Sequence, residues 1–282
     1  MDINNFPNPK LNLPSELIDS EGVKRDISLW AIDRFQEIDQ YLNAVEKYIY
    51  TDINLNYKPS DADHIYAWML QLVSSLVFRS LYIRNAFVDL INSRNAVGIF
   101  LPLKAWFETV GALASILELL EKNLSQEDMF KEMKLFILGN RGKGNFRVGN
   151  CEAKNVATMI EKADKYIAKA GKGQHDEGEE RISLKNFFTD HYDISSNLSH
   201  PSFDAYALTS SMRDGNFWQL KEIEGVQKMI VDYLFNYIGL LTAPLFVEDI
   251  CEKIFEKESV NFTKLKSRKY FNGISSVTPQ SE

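Results

Sequence analysis

Apolar residues recur at three- and four-residue steps along most of the chain, the pattern of helices that each bury one face. From Ile27, the series Leu29, Ile32, Phe35, Ile38, Leu42, Val45 and Ile49 keeps that step with acids between, and predicts a first helix. Thr51 to Ser60 is polar, carries Pro59 and reads as a loop. A long second helix is expected from a cap at Asp61 or Asp63 to about Ser93. Its apolar residues nearly encircle the axis from Ile65 to Val88, which marks a central, mostly buried element. A third runs from near Asn95 to about Lys122, with Pro102 in its first turn or at a kink. Further helices are expected over about Gln126 to Leu138, Cys151 to Ala170 and Leu184 to Ser199. The last, about Glu222 to Lys257, carries Pro244 and should kink there.

The segments between are polar. Gly139 to Asn150 is rich in glycine and arginine, Gly171 to Glu180 reads as an acidic surface loop, and Pro201 to Trp218 is a polar connection with short extended pieces. β-type alternation is never sustained, and no repeat of solenoid length is visible. The expected fold is therefore all-α, a bundle of roughly six to eight helices around one core. An N-terminal arm (1–26) precedes a single helical domain (27–258), and a polar, partly disordered tail (259–282) follows it.

Composition narrows the function classes. With 39 acidic and 32 basic residues the formal net charge is −7, which disfavours a nucleic-acid coat or a polybasic membrane binder. Cys151 and Cys251 form no C-x-x-C pair, so neither a disulfide framework nor a cysteine zinc site is expected. The longest uncharged stretches, Tyr233 to Val247 and Ile65 to Phe78, are too short to span a bilayer, and no signal peptide is visible. A cytoplasmic location is expected.

The most informative segment is His191-Tyr-Asp-Ile-Ser-Ser-Asn-Leu-Ser-His-Pro-Ser202. On a helix, Asp193, Ser196 and His200 stand at i, i+3 and i+7, with Tyr192 beside them. That stripe offers a phenol, a carboxylate, hydroxyls and an imidazole. Pro201 ends the helix and leaves His200 in its last turn, where the macrodipole favours imidazolium. His200 is then an acid/base group or a phosphate contact; the plainer alternative is a structural cluster in which it caps its own helix. The second feature is Lys104 and Glu108, i and i+4 within an otherwise apolar helix. They pair with each other, or Glu108 reaches the His200 stripe, with Arg79, Arg84 and Arg94 as further partners. Arg141, Lys143 and Arg147 in the glycine-rich stretch are candidate phosphate or nucleic-acid contacts, although a solvated loop is the simpler reading. That stretch lacks the P-loop order, and no G-x-S-x-G elbow or dinucleotide fingerprint occurs, so no cofactor is expected. The histidines His64, His175, His191 and His200 show no H-x-x-x-H or E-x-x-H spacing, so no metal is expected either.

These residues carry a resemblance. Lys104 and Glu108, Asn155-Val156 with Ile160, and Tyr192-Asp193, Ser196 and His200-Pro201 together resemble an uncharacterised bacterial all-helical domain-of-unknown-function family. Its pattern is basic-x-x-x-Glu, Asn-Val-x-x-x-Ile and Tyr-Asp-x-x-Ser-x-x-x-His-Pro; the basic residue is commonly Arg, where this chain has Lys104. The resemblance spans Ile65 to Pro201 and is distantly HEPN-like. HEPN-type domains include metal-independent ribonucleases of toxin–antitoxin and antiphage systems, in which Arg precedes His by four to six intervening residues. Before His200 those positions hold Asp193, Ile194 and Ser195; before His191 they hold Leu184, Lys185 and Asn186, of which only Lys185 is basic. What the resemblance implies is a bacterial stress or antiphage protein, a homodimer, a protein partner from the same system, and RNA as a candidate ligand. Three functions follow: a binding or regulatory module with a pocket of Glu108, Tyr192, Asp193, Ser196, His200 and Lys104; a HEPN-like ribonuclease using His200 or His191, with Lys185 on phosphate; or a structural subunit of a larger complex.

Overall fold

The computed structural model describes residues 17–18, 24–25, 65–93, 95, 98–137, 154–170, 186–200, 210–213, 217–220 and 242–257. Over these the chain is an all-α bundle of six described helices: α1 (Ile65–Asn92), α2 (Phe100–Glu121), α3 (Gln126–Ile137), α4 (Val156–Ala170), α5 (Phe187–Ser199) and α6 (Thr242–Lys257). Two small antiparallel pairings accompany them. Leu17–Ile18 (β1) pairs with Lys24–Arg25 (β2), and Ser210–Arg213 (β3) pairs with Phe217–Leu220 (β4), Ser210 opposite Leu220. The second pairing lies where short extended pieces are expected. The helix expected from Ile27, the glycine-rich stretch, the acidic loop, the C-terminal tail and the 222–241 part of the last helix lie outside the described residues.

All six helices contribute to one cluster of buried side chains. At its centre is α2, which packs against α1, α4, α5 and α6. Its apolar residues cover most of the circumference, so it can be surrounded: Phe100, Leu103, Trp106, Phe107, Val110, Leu113, Ile116, Leu117 and Leu120 are all buried. Pro102 occupies its first turn, where the missing N–H breaks no bond, and no kink is needed there. The helix starts later than the Asn95 boundary because Asn95 makes a turn of its own. Its Oδ1 accepts from the Gly98 N–H at 2.9 Å, and its carbonyl accepts from Ile99. This helix is long and apolar enough to cross a membrane, and 78% of its apolar window is buried inside the bundle.

On α1 the apolar surface does not close into a ring. Ser75, Arg79, Tyr82, Ala86 and Asp89 form one exposed stripe at three- and four-residue steps, while Ile65, Met69, Val73, Val77, Phe87, Val88 and Ile91 are buried. Two other starts differ from expectation for local reasons. Helix α4 begins at Val156 rather than near Cys151, because Asn155 caps it: its Oδ1 accepts from the Ala157 N–H at 3.0 Å. Helix α5 begins at Phe187 rather than Leu184, because Asn186 sits at φ 61°, in the left-handed region that ends helical continuity. Helix α3 has a reciprocal cap in which Ser125 Oγ accepts from the Asp128 N–H and donates to the Asp128 carboxylate. Pro244 is the third residue of α6 as described.

The approach of α2 to α4 requires a glycine. A Cβ on Gly111 would lie 2.9 Å from the Ile160 backbone nitrogen and 3.0 Å from the Met159 carbonyl carbon. Backbone cannot yield as a side-chain tip can, so the two helices touch where Gly111 leaves room.

Candidate functional site

The seam between α2 and α5 is built on aromatic contacts. Phe107 of α2 meets Phe188 edge-on at 6.3 Å and lies parallel to the His191 ring at 6.1 Å. Phe187 also meets His191, edge to face at 4.5 Å. Burial in this apolar setting pushes the His191 imidazole below its ordinary value, and Asp190 and Asp164 oppose the shift only in part. His191 is thus an aromatic packing residue whose charged form is disfavoured.

What fixes α5 in place comes from α4. Asp164 is 7% exposed and carries a carboxylate into the core, where it accepts three hydrogen bonds at the start of α5. The donors are the Phe188 N–H at 2.7 Å, the Thr189 N–H at 3.1 Å and the Thr189 hydroxyl at 2.6 Å. The N-cap residue itself, Asn186, makes no side-chain cap. An N-terminal cap supplied from another helix neutralises orphan amides and meets the positive end of the α5 dipole, so it locks α5 in its lengthwise position on α4.

With the N-terminus held, the seam along α2 carries Tyr192 and His200 to Lys104. Lys104 Nζ lies 3.2 Å from His200 Nε2 and 5.9 Å from the centre of the Tyr192 ring. His200 is the C-cap residue of α5, extended at φ −100° and ψ 156°, as residues before proline tend to be. It is exposed, and its ring turns to Lys104. An ammonium only donates, so the imidazole Nε2 accepts and its proton sits on Nδ1 while this contact is made.

Glu108 is drawn elsewhere. Its carboxylate pairs with Arg79 of α1 at 3.6 Å, rather than with Lys104 one turn away or with His200. Asp193 is exposed, and Ser196 engages the last turn through its carbonyl, which accepts from the Ser199 hydroxyl at 2.9 Å. Of the six side chains expected in one pocket, Lys104, Tyr192 and His200 are therefore joined by contacts, and Glu108 belongs to the α1–α2 interface. Lys185, Arg141, Lys143 and Arg147 lie outside the described residues. Among the described residues no three His, Cys, Asp or Glu side chains gather as metal ligands.

Sequence reasoning missed Asp164, although a signal was present. Ile160, Ala163 and Ile167 define the inward face of α4, and Asp164 falls on that face. A carboxylate on an apolar stripe implies a partner, because burying it alone is costly.

A cleft of about 360 Å³ opens at the other end of α2, where Glu121 meets Lys169 of α4 and Asp249, Glu252, Lys253 and Glu256 of α6. Burial pushes the Asp249 carboxyl above its ordinary value; Lys253 opposes this and Glu121 adds to it. From Lys104 to Glu121 the helix rises about 25 Å, so the cleft and the Lys104–His200 contact are separate features.

Comparison with protein-family models, with curated proteins and with solved structures found no match to this chain.

Proposed function

We propose that the chain is a cytoplasmic binding or regulatory module that takes its ligand at the α2–α5 seam, with Lys104, His200 and Tyr192 as the recognition residues. The observation that supports this reading is the contact between Lys104 Nζ and His200 Nε2 at 3.2 Å. A general base needs a free lone pair and a group that orients its ring. In His200 the Nε2 lone pair is taken by an ammonium, and among the described residues no carboxylate or carbonyl holds the other nitrogen. A cation beside an imidazole suits recognition of a negatively charged group better than proton abstraction. The setting in a bacterial stress or antiphage system rests on the family resemblance.

The competing reading, a metal-independent ribonuclease, gains one point from the same contact, since a basic residue and a histidine come together across two helices. His191 is a poor candidate for that chemistry, because it is half-buried against the rings of Phe107 and Phe187. The test is cleavage of total cellular RNA by the purified full chain, with and without EDTA, from about pH 5 to 9. No cleavage at any pH is expected. EDTA-resistant cleavage lost in His200→Ala with helicity intact would overturn the binding reading and identify the acid/base group.

A further inference from the structure

We propose that the junction of α6 with α2 and α4 is tightened by acid: at neutral pH the carboxylates of its cleft repel across the seam, and a proton on Asp249 relieves the repulsion and seats α6 more firmly. The proposal concerns the far end of α2 and stands independently of the reading at the α2–α5 seam.

The first argument is where the charge falls. On α6, Phe246, Val247, Ile250, Cys251 and Ile254 are buried and form the face that packs on the core. Asp249, Glu252, Lys253 and Glu256, at i, i+3, i+4 and i+7, run beside that face and line the cleft. Glu121 of α2 and Tyr166 and Lys169 of α4 line the rest; α1 also touches α6 but brings no charged group to the lining. Four carboxylates thus share the cleft with two ammonium groups. Lys169 is engaged with Glu121 at 3.6 Å, so the excess of acid falls on α6.

The second argument is the position of Asp249. Glu252 and Glu256 are exposed, where water screens them, whereas Asp249 is half-buried. Among the described residues no hydrogen bond or ion pair within 4 Å holds its carboxylate. Burial is the main cause that raises its carboxyl above the ordinary value; Lys253, one turn on along α6, opposes this, and Glu121 of α2 adds to it. The cleft is bridged at both ends. Phe246 packs on Tyr166 with ring centres 4.6 Å apart, and Lys257 donates to the Leu120 carbonyl at 2.9 Å. Between these ties Asp249 carries a half-buried charge with no counter-ion in contact, and the seating of α6 answers to that charge.

The sign follows from the two states of the helix. Seated α6 holds the Asp249 proton more tightly than a lifted α6 whose carboxyl meets water, so seating takes up a proton. The cost of the ionised carboxylate is present in full above the folded value. It fades as pH falls through that value and is gone below the ordinary value of 3.8.

Cys251 supplies the reporter. Its thiol is 0% exposed on the packed face of α6, so it reacts only when the helix lifts. The experiment measures the rate at which dithiodipyridine labels Cys251 in the full chain, from about pH 4 to 8, in a Cys151→Ser background. Asp249→Asn keeps the size of the side chain and removes its charge; Glu252→Gln removes an exposed charge from the same cleft. Dividing each variant's rate by the parent's at the same pH cancels the titration of the thiol itself, and circular dichroism checks folding. Asp249→Asn should label at least about twofold more slowly near pH 8, with the ratio returning to one toward pH 4. Lys253→Met removes the opposing cation and should label faster than the parent near pH 8, a second test of opposite sign. Glu252→Gln should stay near a ratio of one throughout. A ratio for Asp249→Asn that is above one near pH 8, or that does not change with pH, overturns the proposal. So does equal slowing in Glu252→Gln, which would assign the effect to net charge alone.

Discussion

At the C-terminal end of α2, Glu118 is held by Lys122 and Lys162, Glu121 by Lys169, and the Lys257 ammonium closes the Leu120 carbonyl at 2.9 Å. At its N-terminal end, Lys104 has His200 and the face of Tyr192. One helix thus carries two electrostatic settings about 25 Å apart. In the first, Glu118 and Glu121 of α2 are each paired with a lysine of the neighbouring α4. Burial pushes the Glu118 carboxyl up, but hydrogen bonds and attraction from Lys162 and Lys122 outweigh it, and the carboxyl lies below its ordinary value. In the second, a cation meets an imidazole and, among the described residues, no acid. Matched charge at helix junctions aligns the bundle and asks nothing of a ligand. Unmatched charge at a seam that is otherwise aromatic and well packed is where a ligand would complete the set.

The largest expected effect breaks the contrast from outside α2. Asp164→Ala leaves the Phe188 and Thr189 amides without acceptors at a buried helix start, and should cost about 2–4 kcal/mol in urea denaturation. It should also loosen the Lys104–His200 contact, because α5 would no longer be fixed along α4. A cost under about 0.5 kcal/mol would mean that α5 is held by its aromatic seam alone. Next comes Gly111→Ala, at the point where α2 touches α4. The added methyl meets backbone, so a loss of about 1–3 kcal/mol is expected, felt at both ends of the helix. The smallest effect is at the matched end. Glu118→Gln should cost about 0.5 kcal/mol near neutral pH, a modest figure because the side chain is 36% exposed and solvent screens the pairs. The sign follows from the lowered carboxyl. Its stabilisation is present above the ordinary value of 4.5 and is lost as pH falls through the folded value, so wild type and variant should converge in acid. A difference that instead grew in acid would contradict the ion-pair assignment.

How much of this is legible in the sequence depends on how local each cause is. The helices are, because the apolar period is local: α2, α3 and α5 lie where Leu103, Met129 and Leu198 and their periodic neighbours put them. Helix starts depart from the apolar period where one residue decides them, as at Asn155, whose side chain caps α4, and Asn186, whose φ is positive. Lys104 and His200 could each be singled out, Lys104 as a charge in an apolar helix and His200 as a polar group on a stripe ended by proline. Their meeting could not be read, because it depends on the antiparallel seating of α5 on α2. Nor could the choice of Glu108 between Lys104 and Arg79, which is made by the packing of α1 on α2. Asp164 lies between these cases. Its oddity is visible in the sequence, while its partners are backbone amides 24 and 25 residues away.

The state of the His200 imidazole bears most directly on the unmatched end of α2. Long-range proton–nitrogen NMR of the full chain at mildly alkaline pH reports which ring nitrogen carries the proton. With Lys104 donating to Nε2, the Nδ1–H form should dominate in wild type and give way to the Nε2–H form in Lys104→Met. The same tautomer in both proteins would mean that Lys104 and His200 do not hold one another in solution, and the site at the α2–α5 seam would lose its foundation.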